Sequence, residues 1–141
     1  MNLRYPKNVR FECQRCAKCC GDSSHRGRNV LLLESEVSQI SDTTGLRPLS
    51  FASRSLSIQP YRYRMKKRNG KCVFLDGKAC RIYNFRPLIC HFYPFSLKRG
   101  DNGYRFEVSE ECPGIGLGKT LAPERFERMF EEAHLKLKIA Y

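Results

Sequence analysis

The sequence predicts a small α+β domain in which short hairpins and a C-terminal helix support irregular, cysteine-rich loops. Eight cysteines occur among 141 residues and fall into two groups. Two dipeptides that favour tight hairpin turns, Asn69–Gly70 and Asp76–Gly77, separate short strand-like segments. After Pro123, apolar residues recur at the spacing of one helix face, namely Phe126, Phe130, Ala133 and Leu137.

The first third of the chain is expected to contain a loop, a short extended segment and a helix. Residues 11–28 are rich in cysteine, glycine and arginine, and they are not expected to hold regular structure without a metal. Val30–Leu33 predicts a short strand or the lead-in to a helix. Ser35 is predicted to be the N-cap of that helix, which ends at Gly45.

The middle of the chain predicts two consecutive hairpins. Tyr61–Lys66 alternates apolar and basic residues, which is the period of a half-buried strand. The turn at Asn69–Gly70 leads into a returning strand, Cys72–Leu75, and Asp76–Gly77 forms a second turn before Cys80.

The last part of the chain predicts a helical turn, a third hairpin and a helix. Arg81–Cys90 contains a short helical turn that Pro87 interrupts. Phe95–Val108 predicts a hairpin around Gly100–Gly103, and Pro123 occupies the favoured first turn of the final helix.

Length and charge bound the organisation and the partners of the chain. One domain is expected over residues 1–141, with the cysteine motif in residues 11–118 and the C-terminal helix in residues 123–141. The longest aliphatic stretch, Val30–Leu33, is far too short for a signal peptide or a membrane span, so a cytoplasmic location is expected. The formal net charge of +12 favours an acidic protein, nucleic acid or an anionic membrane surface as a partner, without choosing among them.

The cysteines carry the strongest chemical signal. Thiolates at two-residue spacing can converge on one metal ion, because a tight turn brings both sulfurs within bonding reach. In a reducing compartment the pattern favours metal binding over disulfides. The candidate metal ligands are all eight cysteines: Cys13, Cys16, Cys19, Cys20, Cys72, Cys80, Cys90 and Cys112.

Soft thiolate ligands suit zinc or the iron of an iron–sulfur cluster, 4Fe–4S included. Eight thiols are enough for two four-thiolate sites, or for one such site and a cluster. Cys19 and Cys20 are adjacent, so in an extended chain they point to opposite sides and serve different metals or bridge neighbouring ones. The spacing decides neither which cysteines share a site nor whether zinc or iron is bound.

The downstream cysteines stand in a more specific motif. The pattern I-Y-x-x-R-P-x-x-C lies at Ile82, Tyr83, Arg86, Pro87 and Cys90, and Cys112 is followed by Pro-Gly-Ile-Gly. Together with C-x2-C-x2-C-C, this resembles the CxxCxxCC cysteine-cluster family, often called YkgJ-like. The resemblance spans residues 11–118 and implies a domain that chelates zinc or iron. A related cysteine pattern in flagellin lysine methylases adds an enzymatic alternative.

A glycine-rich segment after the last cysteine is a weaker candidate for a site. Gly114–Thr120 suggests a phosphate-binding loop, but such a loop needs its first glycine where Pro113 stands and a buried strand before it. The preferred interpretation is a flexible loop that lets the backbone wrap a metal site at Cys112.

Histidines and one arginine near the cysteines have two readings each. His91 and His25 could be ligands, but ordinary packed or surface histidines are favoured because the thiols already suffice. Arg86 could offset the negative charge of a thiolate site or simply bond a loop carbonyl, and the sequence favours neither.

The basic stripe Tyr61–Arg68 is the candidate surface for nucleic acid or an acidic protein. Its tyrosines could stack on bases while its arginines and lysines hold phosphates. A strand with tyrosines inward and charges in water is predicted equally well by the alternation, and it is favoured because no recognised binding motif accompanies it.

The leading hypothesis is a metal-binding protein whose cysteines chelate an iron–sulfur cluster, zinc or both, in a redox, metal-handling or structural role. The alternatives are a zinc-stabilised nucleic-acid-binding protein and a part of, or accessory to, a methyltransferase-type enzyme. No methyl-donor or nucleotide motif is visible in the sequence.

Overall fold

The structure is a computed structural model that describes residues 2–21 and 27–139 of the chain, with the backbone alone at Lys18. It confirms the α+β class. Four helices are described: α1 (Glu34–Thr44), α2 (Pro48–Phe51), α3 (Leu88–Phe92) and α4 (Pro123–Leu137). Two short 3-10 helices lie at Lys18–Cys20 and Tyr83–Phe85. Within the described residues, no helix combines the length and apolar character needed to cross a bilayer.

The strands are short and most belong to hairpins. In chain order they are β1 (Leu3–Arg4), β2 (Arg10–Phe11), β3 (Leu31–Leu32), β4 (Ala52–Arg54), β5 (Tyr63–Met65), β6 (Lys67–Arg68), β7 (Lys71–Cys72), β8 (Leu75–Asp76), β9 (Ala79–Cys80), β10 (Phe95–Gly100), β11 (Gly103–Val108) and β12 (Ile115–Thr120).

The chain packs as two compact units. Unit 1 consists of Met1–Gln14 and Phe92–Tyr141, and unit 2 of Arg15–His91. This division by internal packing leaves the single domain over residues 1–141 as a prediction.

Unit 2 is built on a three-stranded antiparallel sheet of order β3-β5-β4. The alternation predicted for the central strand is confirmed, because Met65 is buried while Arg62 and Arg64 are exposed. The buried residues of one face join helix α1 and the first hairpin in a single apolar core: Val30, Leu32, Val37, Ile40, Phe51, Ala52, Met65, Phe74 and Ile82.

Helix α1 begins two residues earlier than the Ser35 cap predicts. Leu33 occupies the N-cap position, and its backbone N–H donates to Glu36 Oε1 at 2.9 Å. The prediction was wrong because a glutamate in the third helical position bonds back to the cap, as in half of a capping box. The predicted end is confirmed, since Gly45 has φ +76° and its N–H donates to the Ser41 carbonyl at 2.9 Å.

The Glu36 carboxylate also makes a bond over a long distance in sequence. Its Oε2 accepts the backbone N–H of Leu88, the first residue of α3, at 2.6 Å. Glu36 is only 4% exposed, so its two backbone partners replace water as hydrogen-bond donors. The bond fixes the start of α3, the helix that carries Cys90, against the start of α1.

Two tight hairpins follow the sheet, as the turn dipeptides predict. Asn69 and Gly70 both have positive φ between β6 and β7, and Gly77 has φ +64° between β8 and β9. The returning strand predicted at Cys72–Leu75 is wrong in extent, because β7 ends at Cys72. The chain turns there so that Phe74 enters the core, where its ring centroid lies 5.5 Å from that of Phe51.

Unit 1 combines a three-stranded sheet of order β1-β11-β10, the pair β12-β2 and helix α4. The predicted hairpin is confirmed, with Phe95 opposite Val108 and Gly100 opposite Gly103. Helix α4 begins at Pro123 as predicted. Its buried face packs aromatic rings together, since the Phe126 centroid lies 5.1 Å from Phe95 and 5.6 Å from Phe106.

Replacing Glu36 by alanine should destabilise unit 2 more than an ordinary surface change on the same helix. Glu36→Ala leaves two buried backbone N–H groups without this acceptor, and the expected loss is about 2–4 kcal/mol in the free energy of unfolding. Glu34→Ala is the matched control, because Glu34 is an exposed acid in the same first turn. Urea unfolding monitored by circular dichroism measures both, and equal losses in the two variants would contradict the role given to Glu36.

Candidate metal centre

Five of the eight cysteines form one group in unit 2. Each of their thiols interacts electrostatically with at least two others of the set, which are Cys19, Cys20, Cys72, Cys80 and Cys90. We call this group the thiol centre. It joins the first cysteine motif to the second, although about fifty residues separate them in sequence.

A close backbone contact brings Cys19 and Cys20 to the hairpin that ends in Cys72. The two adjacent cysteines lie in the 3-10 helix Lys18–Cys20, and the next residue, Gly21, forms an isolated antiparallel bridge with Lys71. A Cβ atom on Gly21 would come within 2.9 Å of the Gly70 carbonyl oxygen. Only glycine permits this approach without a shift of the backbone.

The other three thiols of the centre are placed by local structure. Cys72 and Cys80 are the last residues of β7 and β9, so each stands at the end of a tight hairpin, opposite Lys67 and Leu75 respectively. Cys90 lies in α3, whose first N–H is held by Glu36. Turn chemistry and one long-range hydrogen bond therefore position these three side chains.

Burial sets the protonation of most thiols in the centre. Removal from water raises the pKa of Cys90 to about 12, and it raises the pKa of Cys72 and of Cys80 as well. In the protein without metal these three thiols therefore hold their protons at neutral pH.

The adjacent pair Cys19–Cys20 behaves differently from the other thiols. Their sulfur atoms lie 3.9 Å apart, far longer than the disulfide bond length of about 2.05 Å. A hydrogen bond from the Cys20 thiol lowers the pKa of Cys19 to about 6, and the same bond raises the pKa of Cys20. The pair thus holds one proton between two sulfurs at neutral pH, with Cys19 as the thiolate.

Two arginines supply positive charge beside the thiol centre. Arg28 donates from Nε to the Cys19 carbonyl at 2.6 Å, and its charge lowers the pKa of both Cys19 and Cys90. Arg86 lowers the pKa of Cys19 and Cys80 in the same way. Its guanidinium lies 4.0 Å above the Tyr83 ring centroid, and its Nε donates to the Tyr83 carbonyl at 3.0 Å. Both interpretations that the sequence left open for Arg86 therefore apply. It donates to a loop carbonyl, and its charge lowers the pKa of two thiols.

The three remaining cysteines are divided between the two units. Cys16 belongs to unit 2 and is half-buried, whereas Cys13 and Cys112 belong to unit 1. In unit 1 the segment of Cys13 runs beside the segment of Cys112, because the Glu12 N–H donates to the Gly114 carbonyl at 3.1 Å. An eight-thiolate ligand set thus stays a prediction.

The side chains are not arranged as a closed coordination shell. Within residues 2–21 and 27–139, no three Cys, His, Asp or Glu side chains are grouped so as to hold a metal ion. The chemistry of the donors nevertheless fits zinc or iron, since the thiol centre offers soft ligands, partial exclusion of water and two nearby positive charges.

The remaining candidates from the sequence are the two histidines and the basic stripe. The backbone N–H of His91 donates to the Pro87 carbonyl at 2.9 Å in α3, and its side chain is exposed. His25 lies outside the described residues.

In the basic stripe, Tyr63 packs against the core of unit 2, and burial raises the pKa of the half-buried Tyr61 to about 12. Both tyrosines are thus partly removed from solvent.

The glycine-rich segment after Cys112 is not the flexible loop that the sequence predicts. Ile115–Thr120 is strand β12, which pairs irregularly with β2. Gly118 has φ +78°, and a Cβ atom there would come within 2.8 Å of Glu12 Cβ. The glycines serve a close strand contact, so the segment lacks the loop-to-helix geometry of a phosphate site.

Sequence reasoning missed Glu36 and Arg28 as residues that act on the thiol centre. Glu36 had a local signal, because a glutamate two positions after a helix start often bonds back to the cap. Its second bond, to Leu88, has no signal in the sequence. Arg28 lies nine residues after Cys19, and only the folded loop brings its Nε to the Cys19 carbonyl.

Comparison with known protein families agrees with the cysteine pattern. The family described as "Putative zinc- or iron-chelating domain" matches residues 12–113, a range that contains all eight cysteines. The chain belongs to the CxxCxxCC family. The resemblance seen in the sequence is thereby confirmed, and metal chelation is the property that the family description gives.

Two relatives of this CxxCxxCC protein come from Methanocaldococcus jannaschii. Uncharacterized protein MJ0939 is 30% identical over 89% of this chain and 48% of its own length. Uncharacterized protein MJ0661 is 26% identical over 95% of this chain and 72% of its own length. The chain thus spans about half the length of the first relative. No solved structure matches it.

In the metal-free protein, alkylation of Cys19 by iodoacetamide should follow a pH profile with its midpoint at about 6. Only the thiolate reacts, so the rate rises as the pH rises through the pKa of Cys19. The Cys20→Ala variant removes the hydrogen-bond donor, and the midpoint should move up towards that of an ordinary thiol. Mass spectrometry of each cysteine peptide over a pH series measures this midpoint.

Cys90 is the internal control for this alkylation experiment. Its pKa of about 12 should leave it unmodified at neutral pH in both proteins. A Cys19 profile that is identical in the parent protein and in Cys20→Ala would show that the neighbouring thiol does not stabilise the thiolate.

Proposed function

We propose that this chain binds zinc or an iron–sulfur cluster through thiolates, and that the thiol centre of unit 2 supplies the ligands of at least one metal site. The observation that supports the proposal most directly is a group of five thiols from four separate segments, each of which interacts electrostatically with at least two of the others. Membership of a family described as chelating zinc or iron supports the same chemistry.

The number of thiols favours a site with one ligand to spare. A tetrahedral metal site or a 4Fe–4S cluster takes four thiolates, and the thiol centre contains five. We place that choice at the adjacent pair Cys19–Cys20, because their sulfur atoms lie only 3.9 Å apart and either could be the fourth ligand. We propose that Cys13, Cys16 and Cys112 belong to a second site or to no site, and that unit 2 can hold its metal without Cys13 and Cys112.

The surrounding residues prepare the centre for a cation. Four thiolates around one divalent ion leave two negative charges, and Arg28 and Arg86 offset them from fixed positions. Glu36 keeps α3 in place, so that Cys90 is presented from a rigid element. Bound zinc would supply structural cross-linking of the two cysteine groups, and a bound iron–sulfur cluster would supply one-electron redox chemistry. The proposal includes the reducing cytoplasm as the compartment, because exposed thiols persist there.

Metal analysis of anaerobically purified protein tests the proposal directly. We expect at least one equivalent of zinc or iron per chain by elemental analysis. Iron with acid-labile sulfide and a brown visible spectrum would identify a cluster, and a colourless protein with zinc would identify a structural site. Folded, anaerobically purified protein with neither metal in stoichiometric amount would contradict the proposal.

Two matched double variants test which cysteines hold the metal. Cys72→Ser with Cys90→Ser removes two thiols of the centre and should lower the metal content by one site. Cys13→Ser with Cys112→Ser removes the two cysteines of unit 1 and should leave the unit 2 metal bound. Equal loss of metal in both variants would refute the assignment to unit 2, while the total metal content of the parent protein would still test chelation itself.

The charge of Arg86 should contribute to metal retention. Arg86→Gln removes a positive charge beside Cys19 and Cys80, and the expected effect is an about tenfold weaker metal affinity in competition with a chelator. Arg86→Lys should recover part of that loss because it restores the charge. Arg81→Gln is the control, since Arg81 is exposed in the same segment and its ion pair with Asp76 spans 3.5 Å at the surface. Equal affinities for Arg86→Gln and Arg81→Gln would show that Arg86 does not act on the site.

A further inference from the structure

Positive charge is concentrated in one short stretch of the chain. Residues 62–91 contain nine lysines and arginines and one acidic residue, Asp76, so they carry eight of the twelve net positive charges of the chain. The same stretch contains Cys72, Cys80 and Cys90. The excess charge is therefore carried by the elements that build the thiol centre.

Exposed cations lie close in sequence to two of these cysteines. Lys71 precedes Cys72 and pairs in register with Arg68 across the first hairpin, and Lys78 lies two residues before Cys80. These three side chains are exposed. We define the cationic rim as the set that they form with the two arginines at Tyr83: Arg15, Arg68, Lys71, Lys78 and Arg86.

Two members of the cationic rim share a single aromatic ring. The guanidinium carbon of Arg15 lies 5.1 Å from the Tyr83 ring centroid, and that of Arg86 lies 4.0 Å from it. The two guanidinium carbons are thus no more than about 9 Å apart, the sum of those distances. Neither has a carboxylate partner among residues 2–21 and 27–139. Like charges held this close create a field that favours an anion.

The surroundings of Tyr83 decide what kind of anion fits. Tyr83 is 38% exposed and is the one exposed aromatic ring in the described part of the chain. Proteins that bind single-stranded nucleic acid use exposed rings to stack the bases. Here the ring is already contacted by two guanidinium groups, and Tyr61 and Tyr63 are half-buried. A carboxylate-rich polypeptide needs no stacking ring, because arginine and lysine bind carboxylates directly.

We propose that the cationic rim is a docking surface for an acidic segment of a partner protein, and that docking brings this partner next to the thiol centre. The positively charged rim attracts the acidic segment electrostatically. This attraction speeds association and becomes weaker as the salt concentration increases. The surface forms from residues of unit 2 alone, and the proposal holds for zinc and for iron alike.

Charge reversal at the rim tests the proposal on the metal-loaded protein. The probe is a fluorescein-labelled oligoglutamate peptide, and its binding is followed by fluorescence anisotropy at low and at physiological ionic strength. Arg68→Glu with Lys78→Glu should weaken binding about fivefold to tenfold at low salt. Lys98→Glu with Arg99→Glu is the matched control, because it reverses two exposed cations of β10 in unit 1 and changes the net charge equally. This control should bind the peptide like the parent protein.

Two outcomes would overturn the proposal. Equal weakening in both double variants would mean that net charge alone attracts the peptide. Tighter binding of an oligothymidylate with the same number of charges, lost on reversal of the rim, would make nucleic acid the occupant. If the charge-reversed rim variant fails to fold, Arg68→Gln with Lys78→Gln provides the same comparison with a smaller expected effect.

Discussion

The buried carboxylate of Glu36 is the constraint on which the arrangement of unit 2 depends. One oxygen accepts the N–H of Leu33 at the start of α1, and the other accepts the N–H of Leu88 at the start of α3. Burying a carboxylate is costly unless its oxygens are hydrogen-bonded, so the two helix starts must meet at this point. A single side chain thereby ties together two segments that are 52 residues apart in sequence.

The geometry of the thiol centre depends on that bond and on three further backbone features, one long-range bridge and two tight turns. The Gly21–Lys71 bridge holds the Cys19–Cys20 pair beside the first hairpin, and two tight turns set the ends of β7 and β9. None of these backbone features and hydrogen bonds involves a cysteine side chain. The backbone can therefore gather the thiols before any metal binds, and the cost of ordering the loop is carried by the fold as well as by the metal.

The sequence predicts the local turns and helix starts well and the long-range backbone contacts poorly. Asn69–Gly70 and Gly77 reveal their turns because few residues adopt positive φ easily, and Pro123 marks a helix start for an equally local reason. The cysteine spacing likewise reveals the chemistry of the ligands. The Gly21 bridge and the Glu36–Leu88 bond depend on which segments meet in space, and no local pattern encodes that. For the same reason, the spacing could not separate the five cysteines of the thiol centre from the other three.

Electrostatics links the buried thiols to the basic surface around them. Burial raises the pKa of Cys72, Cys80 and Cys90, so a metal bound at the proposed site would have to displace their protons, and each displaced proton would leave a thiolate in a partly apolar site. Arg28 and Arg86 reduce that cost where they approach the sulfurs. In the proposed metal-bound state, the metal and these two arginines would balance the thiolates, and the outer cations Arg68, Lys71 and Lys78 would have no thiolate to neutralise. Their charge would then act outward, on an anionic group that approaches from solvent.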